Sequence, residues 1–147
     1  MGARRWLRTL GVAQIGGKLK AALELHDSRL DQIALEDGAA IIHFPHAYIH
    51  KSSGTPGKDP GTGWSQEVQL ILASASYFGA PPTLPNTISE GHLEVGGIRH
   101  EVVPLPFSRR GKATFALVFT DGTQFEVRGE RPVVELIGAA KFLENYP

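Results

Sequence analysis

Three histidines, His43, His46 and His50, open a run that reads HFPHAYIHKSSGTPGKDPGTGW over residues 43–64 and also carries four glycines and three prolines. Imidazole is the commonest side-chain metal ligand and titrates near neutral pH. Irregular Gly/Pro backbone is where binding residues gather. His46 and His50 share a face on a helix or on a strand, so the spacing admits a divalent metal held by His43, His46 and His50. A zinc peptidase needs a glutamate directly after its first histidine to activate water, and that position is Ala47, so the peptidase pattern fails; a metal-binding protein or a metal-assisted enzyme using His46 and His50 stands as the second functional reading.

Residues 53–59, SGTPGKD, touch on the phosphate-loop pattern and miss it. No glycine stands where the first one belongs, Asp59 follows Lys58 where a Ser or Thr would bind magnesium, and Pro60-Gly61 prevent the required helix. The same segment lacks the oxygen spacing of a helical calcium loop. What remains is a turn-rich loop able to recognise a ligand or a protein. In that reading Tyr48 and Trp64 supply apolar anchor area, and His46, His50, Lys58 and Asp59 supply orienting polar contacts.

His26-Asp27-Ser28 has the residue types of a hydrolase triad, but adjacent positions cannot converge as triad members do. The expected arrangement is a local His26–Asp27 pair, with Ser28 or Asp27 bonded to nearby backbone. Arg109-Arg110-Gly111-Lys112 beside Phe107 reads as a solvated cationic turn. With no nucleophile, base or cofactor motif completed, binding ranks above catalysis.

Length and composition bound the rest. The 147 residues suit one domain with a substantial core. Lys plus Arg and Asp plus Glu each number 15, so no net field draws nucleic acid to the chain as a whole. The charge is unevenly spread: the first 23 residues hold Arg4, Arg5, Arg8, Lys18 and Lys20 and no acid, leaving 10 basic against 15 acidic residues beyond. This leader lacks the continuous apolar core of a secretory signal. It reads as a basic extension over residues 1–23, and nucleic-acid binding through it and the 109–112 turn is the third functional reading. The absence of cysteine excludes disulfides and thiolate chemistry and permits a reducing cytoplasm, the expected compartment. No apolar run approaches the roughly 20 residues of a spanning helix.

The elements that must position the candidate residues read as β throughout residues 24–147. Asp37-Gly38 lies between apolar runs, Gly96-Gly97 separates two short strands, and Asp121-Gly122 follows the strict alternation of Phe115, Leu117 and Phe119. Val68, Leu70 and Leu72 mark another alternating strand, and residues 133–137 a last one before a short C-terminal helix over 138–146. About eight strands without repeated βα alternation predict an antiparallel β-sandwich or barrel-like sheet. Exposed β edges would allow a homodimer.

Five runs carry a resemblance: HDSRLDQI at 26–33, FPHAYIHKS at 44–52, PGTGW at 60–64, PLP at 104–106 and the ending KFLENYP. Together they resemble a family of small uncharacterised bacterial proteins of this length, and the His-Asp-Ser opening is more distantly similar to immunity-type proteins. The resemblance covers residues 26–147. It implies a compact bacterial β-rich domain with nothing catalytic attached, and so ranks a binding role above an enzymatic one.

Overall fold

A computed structural model describes residues 19–147. Nine strands run through it: β1 Lys20–Leu30, β2 Gln32–Glu36, β3 Ala39–Ser52, β4 Gly61–Gly79, β5 Asn86–Val95, β6 Ile98–His100, β7 Val102–Leu105, β8 Lys112–Phe119 and β9 Gln124–Tyr146. All pairings are antiparallel, and β1–β3–β4–β9–β8–β5 closes back on β1 to give a six-stranded barrel. The predicted antiparallel, barrel-like architecture is the one observed. The basic leader falls on residues 1–18, outside the described residues, apart from its last part: β1 already begins at Lys20, and Ala22 and Leu23 are core.

Turn chemistry sets the registers. Asp37 and Gly38 both take positive φ (51° and 82°), as do Gly96 and Gly97 (58° and 81°). Two left-handed residues give a hairpin whose twist matches the strands, with Glu36 opposite Ala39 and Val95 opposite Ile98. At the β8–β9 turn the Asp121 carboxylate accepts the Thr123 N–H at 2.9 Å and Gly122 takes φ 88°. That backbone N–H, with the Thr123 side chain next, holds the Asp121 carboxyl below its ordinary range.

Alternation fills the barrel. Ala113, Phe115, Leu117 and Phe119 of β8 point inward against Leu23, Leu25, Ile42, Phe44, Ile49, Val68, Leu70 and Leu72. Each such aliphatic or aromatic side chain contributes roughly 1.5–3 kcal/mol when buried, which makes this interior the main stabilising element. Phe44 and Phe115 meet across it in a tilted pair, centroids 6.5 Å apart.

One sequence expectation is overturned. Residues 138–146 form no helix; β9 runs unbroken to Tyr146, with Lys141, Phe142, Glu144 and Tyr146 opposite Ser65, Trp64, Gly63 and Gly61. Ala139, Ala140, Lys141, Leu143 and Glu144 are good helix formers, but a whole strand edge of β4 offers hydrogen bonds and cross-strand contacts that propensity cannot match. No helix occurs among the described residues, so none there is long and apolar enough to cross a membrane.

Candidate functional site

Pairing of Leu23 with Ile49 places both inside the barrel, so the flanking pairs Glu24–Tyr48 and Ala22–His50 face outward. On the same outer surface β4 presents Gly61, Gly63 and Ser65, and β9 presents Glu144 and Tyr146. The glycines leave a trough in the sheet. A Cβ at Gly63 would overlap the Tyr48 hydroxyl, so the missing side chain lets the Tyr48 ring lie across β4 and donate to Glu144 Oε2 at 3.0 Å.

The same trough admits Tyr146 from the far strand. Its ring packs on the His50 imidazole with centroids 3.9 Å apart, and its hydroxyl donates to the Gly57 carbonyl at 3.4 Å. The loop over residues 53–60 closes the other side: the Gly57 N–H donates to His50 Nδ1 and the Ser52 hydroxyl to the Pro60 carbonyl at 2.7 Å. His50 is thereby fully buried although it faces away from the barrel interior. A ring nitrogen that accepts an N–H carries no proton, so the proton sits on Nε2, which is buried with no partner.

Beside this plug lies a cavity of about 460 Å³ lined by Glu24, His26, Asp27, His46, Tyr48, Ser65, Leu143, Glu144 and Tyr146. Glu24 Oε2 is buried and lacks a hydrogen-bond partner; His50 Nδ1 is 3.9 Å away and already engaged. Burial raises the Glu24 carboxyl above its ordinary range, His50 and His26 pull it back and Asp27 pushes it further up. The Tyr48 hydroxyl is pushed up to about 12, first by burial and then by its bond to Glu144. Tyr48 therefore stays a neutral donor at physiological pH, while the wall carries three carboxyl groups.

The three histidines of the sequence motif part company. His46 is exposed and lines the cavity, and His50 is the buried plug behind it. His43 lies farther along β3, where its Nδ1 and Nε2 each donate at 2.6 Å, to Asp31 Oδ1 and Glu67 Oε2. Burial lowers its pKa, but the bonds to Glu67 and Asp31 outweigh that and the net shift is upward. An imidazolium gripped at both nitrogens has no lone pair for a metal. Among the described residues no group of three His, Asp or Glu side chains is arranged to hold a metal ion.

Of the remaining expected contacts, Asp59 and Lys58 stay within their loop. Asp59 Oδ2 accepts the Thr55 N–H at 2.6 Å, and the Lys58 N–H donates to the Thr55 carbonyl at 3.0 Å. Trp64 packs on the core side of β4, edge-on to Phe142 at 5.5 Å, with its indole N–H on Thr62 and the Lys51 ammonium 4.3 Å over its ring. His26 and Asp27 do pair, at 3.1 Å, and the Ser28 hydroxyl donates to the Glu24 carbonyl at 2.5 Å. In the 109–112 turn the Arg109 guanidinium covers the Phe107 ring at 4.5 Å.

Glu24, Glu144 and Tyr146 are the site residues that sequence reasoning missed. Glu24 alone carried a faint signal, an acid alternating with Leu23 and Leu25 on a strand whose other face had to be covered. Comparison with protein-family models, with curated proteins and with solved structures finds no match to this chain.

Proposed function

We propose that this protein is a binding module whose ligand is a small organic cation, a protonated amine, taken up in the cavity between β1, β3 and β9. The observation that carries this reading is the Glu24 carboxyl, which is 22% exposed at the wall of that cavity while its inner oxygen, Oε2, is buried without a donor. A carboxyl held partly out of water with an unmatched oxygen costs free energy, and a ligand ammonium docked against its open side recovers part of that cost by charge pairing. Glu144 and Asp27 add negative charge around the opening, while Tyr48 and Tyr146 supply aromatic faces of the kind that attract ammonium groups. Relative to the loop-centred reading, His46 and Tyr48 keep a ligand-facing role; His50, Lys58 and Asp59 become the scaffold that holds the wall.

The test is a thermal-melt screen of the tag-free chain against primary amines, diamines and quaternary ammonium compounds, with divalent metal ions and neutral metabolites alongside. Ligands that bind only the folded state raise the melting temperature by mass action. The expected result is a concentration-dependent rise with amines that is lost in Glu24→Gln. A rise confined to metal ions, no rise with any amine, or an amine effect that persists undiminished in Glu24→Gln would each overturn the reading.

A further inference from the structure

Beyond Val134 the strand β9 pairs only with β4. Its other edge is occupied up to that point, first by β8 along residues 124–130 and then by the 107–111 segment, through Arg131 N–H to Gly111, Arg109 N–H to Pro132 and Val134 N–H to Phe107. From Glu135 to Tyr146 no described strand takes up the second edge. This edge is long and apolar: Leu136 is 47% exposed and Phe142 49%, although their partners Val68 and Trp64 belong to or pack on the core. Long apolar edges template pairing with another strand unless charge, proline or a covering element blocks them. Here residues 133–146 contain no proline, and the charges are placed to favour one particular partner.

We propose that the occupant of this edge is the same edge of a second copy, giving a two-fold homodimer in which the two β9 strands pair antiparallel about Gly138. A two-fold contact is self-complementary, so residues equally spaced on either side of the axis meet. About Gly138, Glu135 falls opposite Lys141 of the second copy and Lys141 opposite its Glu135. Leu136 falls opposite Ala140, and Val134 opposite Phe142. The faces agree as well as the charges. Glu135 and Lys141 lie opposite Gln69 and Ser65 on the outer surface of the sheet, whereas Val134, Leu136 and Phe142 lie opposite Leu70, Val68 and Trp64 on the core side. Neither Glu135 nor Lys141 belongs to an ion pair among the described residues, so both charges remain to be matched across the axis. Gly138 takes φ 69° and opens a bulge in the pairing with β4 between Ile137 and Lys141, where its carbonyl accepts from the Gln66 amide at 2.8 Å, so the two chains pair on either side of the axis and not through it. Among two-fold registers of residues 135–146, in which opposed residues share a face of the sheet, this one alone sets an acid against a base.

The experiment is sedimentation equilibrium of the full chain over a wide concentration range, on wild type, Glu135→Lys, Lys141→Glu and the exchanged double variant, with circular dichroism to verify that each is folded. The wild type is expected to dimerise. Each single reversal, which turns both cross-axis pairs into like charges, is expected to weaken the dimer about tenfold. The double variant, which restores opposite charges in swapped positions, is expected to regain it. Both positions are exposed, and recovery in the double variant separates a lost interface from a lost fold. A wild type that stays monomeric throughout overturns the proposal and leaves the edge to a strand of another protein. A dimer indifferent to the reversals, or not restored by the exchange, overturns it by placing the contact elsewhere.

Discussion

The ring of Tyr146 lies 3.9 Å, centroid to centroid, from the ring of His50, and this contact seals an imidazole that would otherwise face solvent. Through the Gly57 carbonyl and N–H, the same two side chains hold down the 53–60 loop. Tyr146→Ala is therefore expected to destabilise the protein by about 1–3 kcal/mol, from lost aromatic contact and lost cover over a buried polar ring. Chemical denaturation gives the magnitude. Hydrogen exchange gives the location: the Gly57 amide should lose protection while amides of the barrel interior keep theirs.

His43 links three segments by donating to Asp31 and Glu67, and its pKa in the folded state lies above the ordinary value of 6.5. Folding therefore favours the imidazolium. The associated stability is fully present below about pH 6.5 and is lost as pH rises through the higher folded value. With both carboxylates partly open to solvent, the contribution is on the order of 1 kcal/mol. Denaturation of wild type and His43→Gln across pH 5–9 (a window of about two units either side of neutrality) should give curves that separate at the acid end and converge at the alkaline end. Curves that stay parallel would remove the clamp.

Glu24 carries the opposite lesson for stability. Burial raises its folded pKa above 4.5, so folding penalises the carboxylate, and stability associated with the group falls as pH rises through that folded value. Glu24→Gln is expected to be more stable than wild type at neutral pH by about 1 kcal/mol, with the difference vanishing below pH 4.5. The same substitution should abolish the amine response. A gain in stability together with a loss of binding marks a residue retained for a ligand rather than for the fold.

Gly63 makes room for the Tyr48 ring, because any Cβ there would overlap its hydroxyl end. Gly63→Ala should swing Tyr48 off β4, break its bond to Glu144 and cost about 1–3 kcal/mol by overpacking. In Gly63→Ala/Tyr48→Ala the cost should fall below the sum of the single effects, because the clash needs both side chains. Thermal melts of the four chains complete that cycle.

Local chemistry made the barrel legible before its shape was known. Asp37-Gly38 and Gly96-Gly97 specify two-residue hairpins through the positive φ that such turns demand, and the alternation of Phe115, Leu117 and Phe119 states which face of β8 is buried. The pairing of His26 with Asp27 was equally readable, since neighbours in sequence need no tertiary structure to meet. Closure of the sheet, by contrast, rests on Arg29–Leu30 meeting Asn86–Thr87, a register between distant segments that no local pattern encodes. The C-terminal residues show the conflict directly: 138–146 favour a helix in isolation, yet the open edge of β4 makes them strand.

Most of the candidate site belongs to that second category. Composition and spacing determined that residues 43–64 hold the polar and irregular part of the chain, and His46 and Tyr48 from that run do line the cavity. Which histidine faces the cavity, which is clamped and which is buried depended on what each strand meets across the sheet: Asp31 and Glu67 for His43, Gly57 and Tyr146 for His50. Tyr48 and Glu144 bond across 96 positions of sequence. Side-chain chemistry is written residue by residue, but burial, which decides whether an imidazole is a ligand or a plug, is set by the far segments that the closed barrel brings over it.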